Sequence, residues 1–252
     1  MKNVLVVYPH GLGDCILLTP ALREFYKKTG NKLHIATLER FATAKFFDNN
    51  PYIDKILYTK DAWHDYSNPH LGFNSIYNEW KQYAKDNSMS GIVMPMHSEP
   101  KNKILINFRA LGIGEESSPQ TEIHATPGDK KIAEEIVQNL VGNNEFGFVQ
   151  TSTGVPAKDL PENFGREWLK DNKDLKHIIE VGKEIDSLEY NINIQFEILR
   201  LAKAVCIPDS VFYHACHAMN KDVDFVYFGR GEKVYNRVRP LCEVNENVVY
   251  KI

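Results

Sequence analysis

The chain has 252 residues, 43% of them hydrophobic and 25% charged, which are ordinary values for a soluble globular protein. That length holds one large domain or two small ones, and either can bury a core. The net charge of −3 argues against a dedicated nucleic-acid binder, so no stable nucleic-acid partner is expected. The longest apolar runs have strand length and fall far short of the ~20 residues that cross a bilayer. No leader pattern precedes the first apolar run, and a cytoplasmic protein is the expectation. Cys15, Cys206, Cys216 and Cys242 show no paired spacing and read as reduced thiols.

Residues 3–8 form an apolar strand ended by Pro9-His10-Gly11-Leu12-Gly13. A helical pattern follows from Asp14 to Lys28, with Ile16, Leu17, Ala21, Leu22 and Phe25 on one face. Pro20 sits inside it, so a break or kink near Thr19 is expected. Lys32–Thr37 reads as a strand, Phe41–Phe47 as a helix and Asp54–Tyr58 as a strand. A polar stretch rich in aromatics (Trp63, Tyr66, Phe73, Trp80) follows, helical over Tyr77–Lys85. Gly91–Met96 is a strand and Lys101–Leu111 a helix.

The second half repeats the alternation. Thr126-Pro127 opens a helix over Lys130–Leu140. Strands follow at Phe146–Gln150, Lys176–Val181, Val205–Pro208 and Val223–Phe228, with helices at Asn193–Ala204 and Val211–Met219. Strands alternating with helices predict an α/β protein with parallel sheets. Two such series predict two Rossmann-like, doubly wound domains, 1–125 and 126–252, facing a cleft.

Three loops at strand ends are candidates for chemistry. Gly11 and Gly13 let backbone approach a ligand, and Asp14 opens the helix behind them. Position 16 is Ile16 where a dinucleotide fingerprint has a third glycine, so no nicotinamide cofactor is expected. Asp14 is either a helix cap or a base for an incoming hydroxyl. In the second half, Ser152 and Thr153 follow a strand, with Lys158 five residues on. Hydroxyls, free backbone N–H groups and one lysine suit a diphosphate. Asp209 and Ser210 begin a helix after Pro208, with His214 one turn later. His97-Ser98-Glu99-Pro100-Lys101 ends another strand, and offers Glu99 as acid or base and Lys101 to grip an anionic acceptor.

In this order and spacing the chain resembles the bacterial heptosyltransferases of glycosyltransferase family 9. The residues that carry the resemblance are Gly13-Asp14, Thr19-Pro20-Ala21-Leu22, Asn50-Pro51-Tyr52-Ile53-Asp54, Thr151-Ser152-Thr153, Lys158 with Pro161, Trp168-Leu169, and Asp209-Ser210 with His214. The resemblance implies a GT-B fold with the acceptor on the first domain and a nucleotide-sugar donor on the second. It implies an inverting, metal-independent displacement with Asp14 as general base. Thr153 and Lys158 match the holders of the donor phosphates; Asp209, Ser210 and His214 match the donor-binding loop and helix; Glu184 matches a carboxylate against the nucleoside. The acceptor implied is a glycan or glycolipid, met through peripheral membrane contact. The chain departs from the family at Val211, where the family has glycine, and at Gly229-Arg230-Gly231-Glu232.

Asp222-Val223-Asp224 looks like the DxD of metal-dependent transferases but precedes a strand, away from a cleft. Two rival readings stay open. One is a non-catalytic module that binds nucleotide-sugar or glycan, and the other a transferase acting on a nucleic-acid base or a protein.

Overall fold

Buried apolar runs form two separate parallel sheets in the computed structural model, which describes residues 3–63, 65, 67–185, 191–242 and 244–250. The first holds β1 (Val4–Tyr8), β2 (Leu33–Leu38), β3 (Ile53–Thr59) and β4 (Gly91–Val93) in the order β3-β2-β1-β4. Around it lie α1 (Leu12–Thr29), α2 (Pro69–Asp86) and α3 (Lys103–Ala110). The second holds β5 (Phe146–Gln150), β6 (His177–Val181), β7 (Ala204–Pro208), β8 (Val223–Tyr227) and β9 (Glu246–Val249) in the order β6-β5-β7-β8-β9. Its helices are α4 (Pro127–Val141), α5 (Phe164–Lys173), α6 (Ile192–Leu201), α7 (Val211–Ala218) and α8 (Glu232–Val238). Every residue of β5 and β7 is buried, as expected where helices cover both faces of a parallel sheet.

This strand order decides where a site can form. β1 lies between β2 and β4, so the chain leaves β1 and β4 toward opposite faces and a crevice opens past their carboxyl ends. The same reversal falls between β5 and β7 in the second sheet. One apolar core joins the two sheets, running from Val6, Ile16 and Leu22 to Phe148, Phe196 and Phe212. Across it α1 packs on α7 with almost no clearance. A Cβ at Gly13 would stand 2.6 Å from Cδ2 of His214.

Pro20 does not break α1, which runs unbroken from Leu12 to Thr29. Proline removes the N–H that would bond the carbonyl of Ile16, four residues back. The hydroxyl of Thr19 donates to that same oxygen at 2.8 Å and accepts the Glu122 N–H at 2.9 Å. The expected helix at Phe41–Phe47 is instead a 3₁₀ turn over Glu39–Ala44, none of whose residues is buried. α2 begins at Pro69, well before Tyr77, because Asn68 caps it. Tyr66 lies outside the described residues. α5, α8 and β9 were not anticipated from the pattern.

Thr19 is fully buried. Thr19→Val should therefore destabilise the fold by about 1–3 kcal/mol, the cost of orphaning buried polar groups. Thr19→Ser should recover most of the loss in urea unfolding. Equal stability of the Val variant would show that neither bond matters.

Candidate active site

The loops at both strand-order reversals line one cavity of about 430 Å³. Gly11, Gly13 and Asp14 follow β1, and Lys103 begins α3 beyond β4. Thr153 and Lys158 follow β5, while Asp209, Ser210 and His214 follow β7. Arg40, Gln150 and Arg230 complete the polar lining.

On the second-sheet side Asp209 is 2% exposed and carries two cations. Arg230 Nη2 sits 2.5 Å from its Oδ2 and Lys158 Nζ 3.3 Å away. Lys158 also donates to the Asp209 carbonyl at 3.0 Å. Burial pushes the Asp209 pKa up, but the two cations outweigh it and hold the carboxyl below its ordinary range. Burial, with Arg230 nearby, lowers the Lys158 ammonium in turn despite Asp209. Two positive charges against one negative leave this wall with a net positive charge. Ser210 caps α7, accepting the Phe212 N–H, so the positive end of that helix dipole adds to the wall. Thr153 is committed to its own loop, since its N–H and hydroxyl both donate to Asp159 Oδ1, at 2.6 and 2.9 Å.

On the opposite wall Asp14 sits in the first turn of α1, 2.6 Å from Lys103 Nζ. Burial raises its pKa, but Lys103 and the neighbouring His97 and His10 together hold it well below the usual carboxylate range. Asp14 is therefore ionised across the physiological range, and a weak base while Lys103 stays in place. A second cavity of about 440 Å³ shares Asp14, Lys103 and Arg230 with the first. Its wall is aromatic, with Trp63 edge-on to Phe73 and His10 stacked on His97. Burial, with His10 beside it, pushes His97 down to about 3. The C-terminal region closes this side: Arg237 donates to the His97 carbonyl at 2.8 Å.

Four sequence candidates lie elsewhere. Glu99 pairs with Arg109 at 3.0 Å on the surface, and exposed Lys101 reaches toward Glu115. Ser152 is exposed, with its hydroxyl on the Thr153 carbonyl. Glu184 chelates Arg166 and accepts the Glu180 N–H, outside both cavities. Asp224 is likewise tied up, with Lys173 and the Val205 N–H. In place of Lys101 the chain brings in Lys103. No local pattern marks Lys103, which shares a helix face at i, i+4 with Asn107, a residue the structure buries against Tyr8. Arg230 stands out in the sequence as part of the basic cluster Arg230, Lys233, Arg237 and Arg239, which suits the phosphates of a small ligand, whereas the pair His10 and His97 was missed.

No protein-family model and no curated protein matches the sequence. Solved structures do match in shape. A family 9 glycosyl transferase from Veillonella parvula superposes with a TM-score of 0.65 at 14% identity, over 98% of this chain and 86% of the other. The ADP-heptose LPS heptosyltransferase II of E. coli gives 0.69 at 11% identity, over 99% and 91%. An E. coli heptosyltransferase solved with ADP gives 0.58 at 14%, over 97% and 93%. The fold is that of the family 9 glycosyltransferases. At these identities the likeness fixes architecture alone, and the chemistry rests on the residues just described. Among the described residues no helix is long and apolar enough to cross a membrane.

The buried wall has a stability signature. His214 is 4% exposed, and burial pushes its pKa down to about 4 from an ordinary 6.5. The unfolded chain then binds the extra proton between those values, so stability is full above pH 6.5 and falls as pH drops toward 4. His214→Gln removes that proton site. Its melting temperature should decline less steeply than wild type between pH 7 and 4.5, whatever its starting value. Parallel curves would mean that His214 is solvated.

Proposed function

We propose that the chain transfers a sugar from a nucleoside-diphosphate donor to an acceptor hydroxyl, with inversion at the anomeric carbon. The observation that carries this reading is the placement of Asp14 and of the Lys158–Arg230 pair on opposite walls of one cavity. In this reading residues 1–125 form the acceptor domain of a GT-B enzyme and 126–252 the donor domain, with the cavity as their cleft. The diphosphate binds Lys158, Arg230 and the N-terminus of α7. Asp209 holds both cations in place. The acceptor, a glycan or glycolipid at a membrane surface, enters along the second cavity.

The chemistry follows from the two walls. Asp14 takes the proton of the acceptor hydroxyl as that oxygen attacks the anomeric carbon. The carbon–oxygen bond to the diphosphate breaks on the far side, and its electron pair passes to the phosphate oxygen. Lys158, Arg230 and the helix dipole meet that growing charge, so the step needs no metal. Similar structures were solved with ADP and with ADP-2-deoxy-2-fluoro heptose, which supports a nucleotide-sugar of that class.

A second reading, a binding module without transfer, draws on the Asp14–Lys103 ion pair. A carboxylate held by an ammonium at 2.6 Å takes up a proton only once the lysine is drawn off. Asp14→Asn separates the two readings. Transfer should fall by ~10²–10⁴ with donor affinity kept, and unchanged turnover would leave Asp14 a structural group. Lys103→Met raises the pKa of Asp14, so the acid limb of the pH–rate profile should move to higher pH.

Donor binding has its own test. Lys158→Ala and Arg230→Ala should each weaken nucleoside-diphosphate binding by about 1.5–3 kcal/mol, the scale of one hydrogen bond to a charged group. Calorimetry with ADP, GDP and UDP reads the loss. Wild-type affinity in both variants would place the diphosphate elsewhere.

A further inference from the structure

His10, His97 and Asp14 bring one ring nitrogen each and a carboxylate oxygen within 4.8 Å of one another, the ligand set of a metal ion. The two imidazoles stack, with centroids 4.3 Å apart and planes 21° from parallel. Each ring has its Nε2 on an oxygen. His10 Nε2 lies 2.9 Å from the Pro95 carbonyl, and His97 Nε2 lies 3.1 Å from Asn107 Oδ1. The Asn107 amide is itself oriented, because its Nδ2 donates to the Leu17 carbonyl at 3.0 Å. Carbonyl oxygens only accept, so both Nε2 atoms carry the hydrogen and both Nδ1 atoms keep the lone pair. Nδ1 of His97 is buried and has no hydrogen-bond partner among the described residues.

A histidine whose second nitrogen donates to a carbonyl is oriented as metal-binding histidines are. Nothing in the proposed transfer uses these two rings. The geometry points to a divalent transition-metal site on His10, His97 and Asp14, in the second cavity where Asp14 joins it to the first, with the stacked rings turning about their Nε2 contacts so that both Nδ1 lone pairs meet the ion. Two imidazoles and one carboxylate favour Zn²⁺, Co²⁺, Ni²⁺ or Fe²⁺ over Mg²⁺ or Ca²⁺. Lys103 now supplies the positive charge beside Asp14, and a bound ion takes its place, releasing the ammonium toward the cavity. Occupation ties up the Asp14 carboxylate and blocks transfer. That consequence rests on Asp14 being the base; the site itself does not.

Co²⁺ is the probe, because its visible ligand-field band reports coordination without donor or acceptor present. Chelator-treated full-length protein should take up one Co²⁺ with a saturable band that Zn²⁺ abolishes. His97→Ala and His10→Gln should each lose it, with folding checked by circular dichroism. Lys103→Met should bind Co²⁺ at least about tenfold more tightly, since it removes a charge beside the ion. No saturable band in wild type, or a band that survives both histidine changes, overturns the site. Unchanged affinity in Lys103→Met overturns the exchange of ion for ammonium. In the transfer assay Zn²⁺ should inhibit wild type at the concentrations that quench the Co²⁺ band. Full turnover with the site occupied would overturn Asp14 as the base while leaving the metal site standing.

Discussion

Helix α1 can lie on α7 only because position 13 carries no side chain. The His214 ring fills the space a Cβ would take, and both helices start at the ends of strands beside which the strand order reverses. That contact sets the spacing between the crevice of one sheet and the crevice of the other. Without it, the two parallel sheets would each have a crevice but no common cavity. Gly13 therefore does more than let backbone approach a ligand. It fixes where Asp14, one residue further along, stands relative to the loop that carries Asp209 and Ser210.

The two walls then share an electrostatic design. Each has a buried or half-buried carboxylate with its charge already answered, Asp14 by Lys103 and Asp209 by Lys158 with Arg230. They differ in balance. One wall is neutral as a pair, and the other keeps a net positive charge that an anion can complete. The cations of the second wall are already oriented by Asp209, so little of their side-chain entropy would remain to be lost to any anion. Arg230 stands in the loop where the chain departs from the family pattern, and it lines both cavities. The guanidinium thus supplies at this loop a charge that backbone approach alone would not.

Much of the architecture was legible because parallel strands covered on both faces are continuous apolar runs. β5 matches the expected Phe146–Gln150 at both ends for that reason. What failed was poor in buried side chains. α5 buries only Gly165 and Leu169, α8 only Val238, and the four-residue β9, Glu-Asn-Val-Val at a sheet edge, buries none. Each helix does carry an apolar face, Phe164, Trp168 and Leu169 in α5 and Val234, Tyr235 and Val238 in α8, but across so few turns of otherwise polar sequence that its period is hard to read. Pro20 misled for a different reason, since the Thr19 hydroxyl repairs the bond that proline removes.

The site was legible at its glycines, its helix starts and its one loop lysine, because each follows a strand end. Charges on the β4 loop were visible too, but not their direction. Glu99 and Lys101 point to surface partners, while Lys103, two residues on, turns inward because Asn107 on its face is buried under Tyr8. Asp14 and Lys103 meet across 89 positions of sequence, beyond any local pattern. Local pattern locates the strand ends, and strand order decides which of them converge. Only packing shows which charge is already neutralised. The last of these settles reactivity here, because a carboxylate paired at 2.6 Å and a free one differ in basicity while reading identically in sequence.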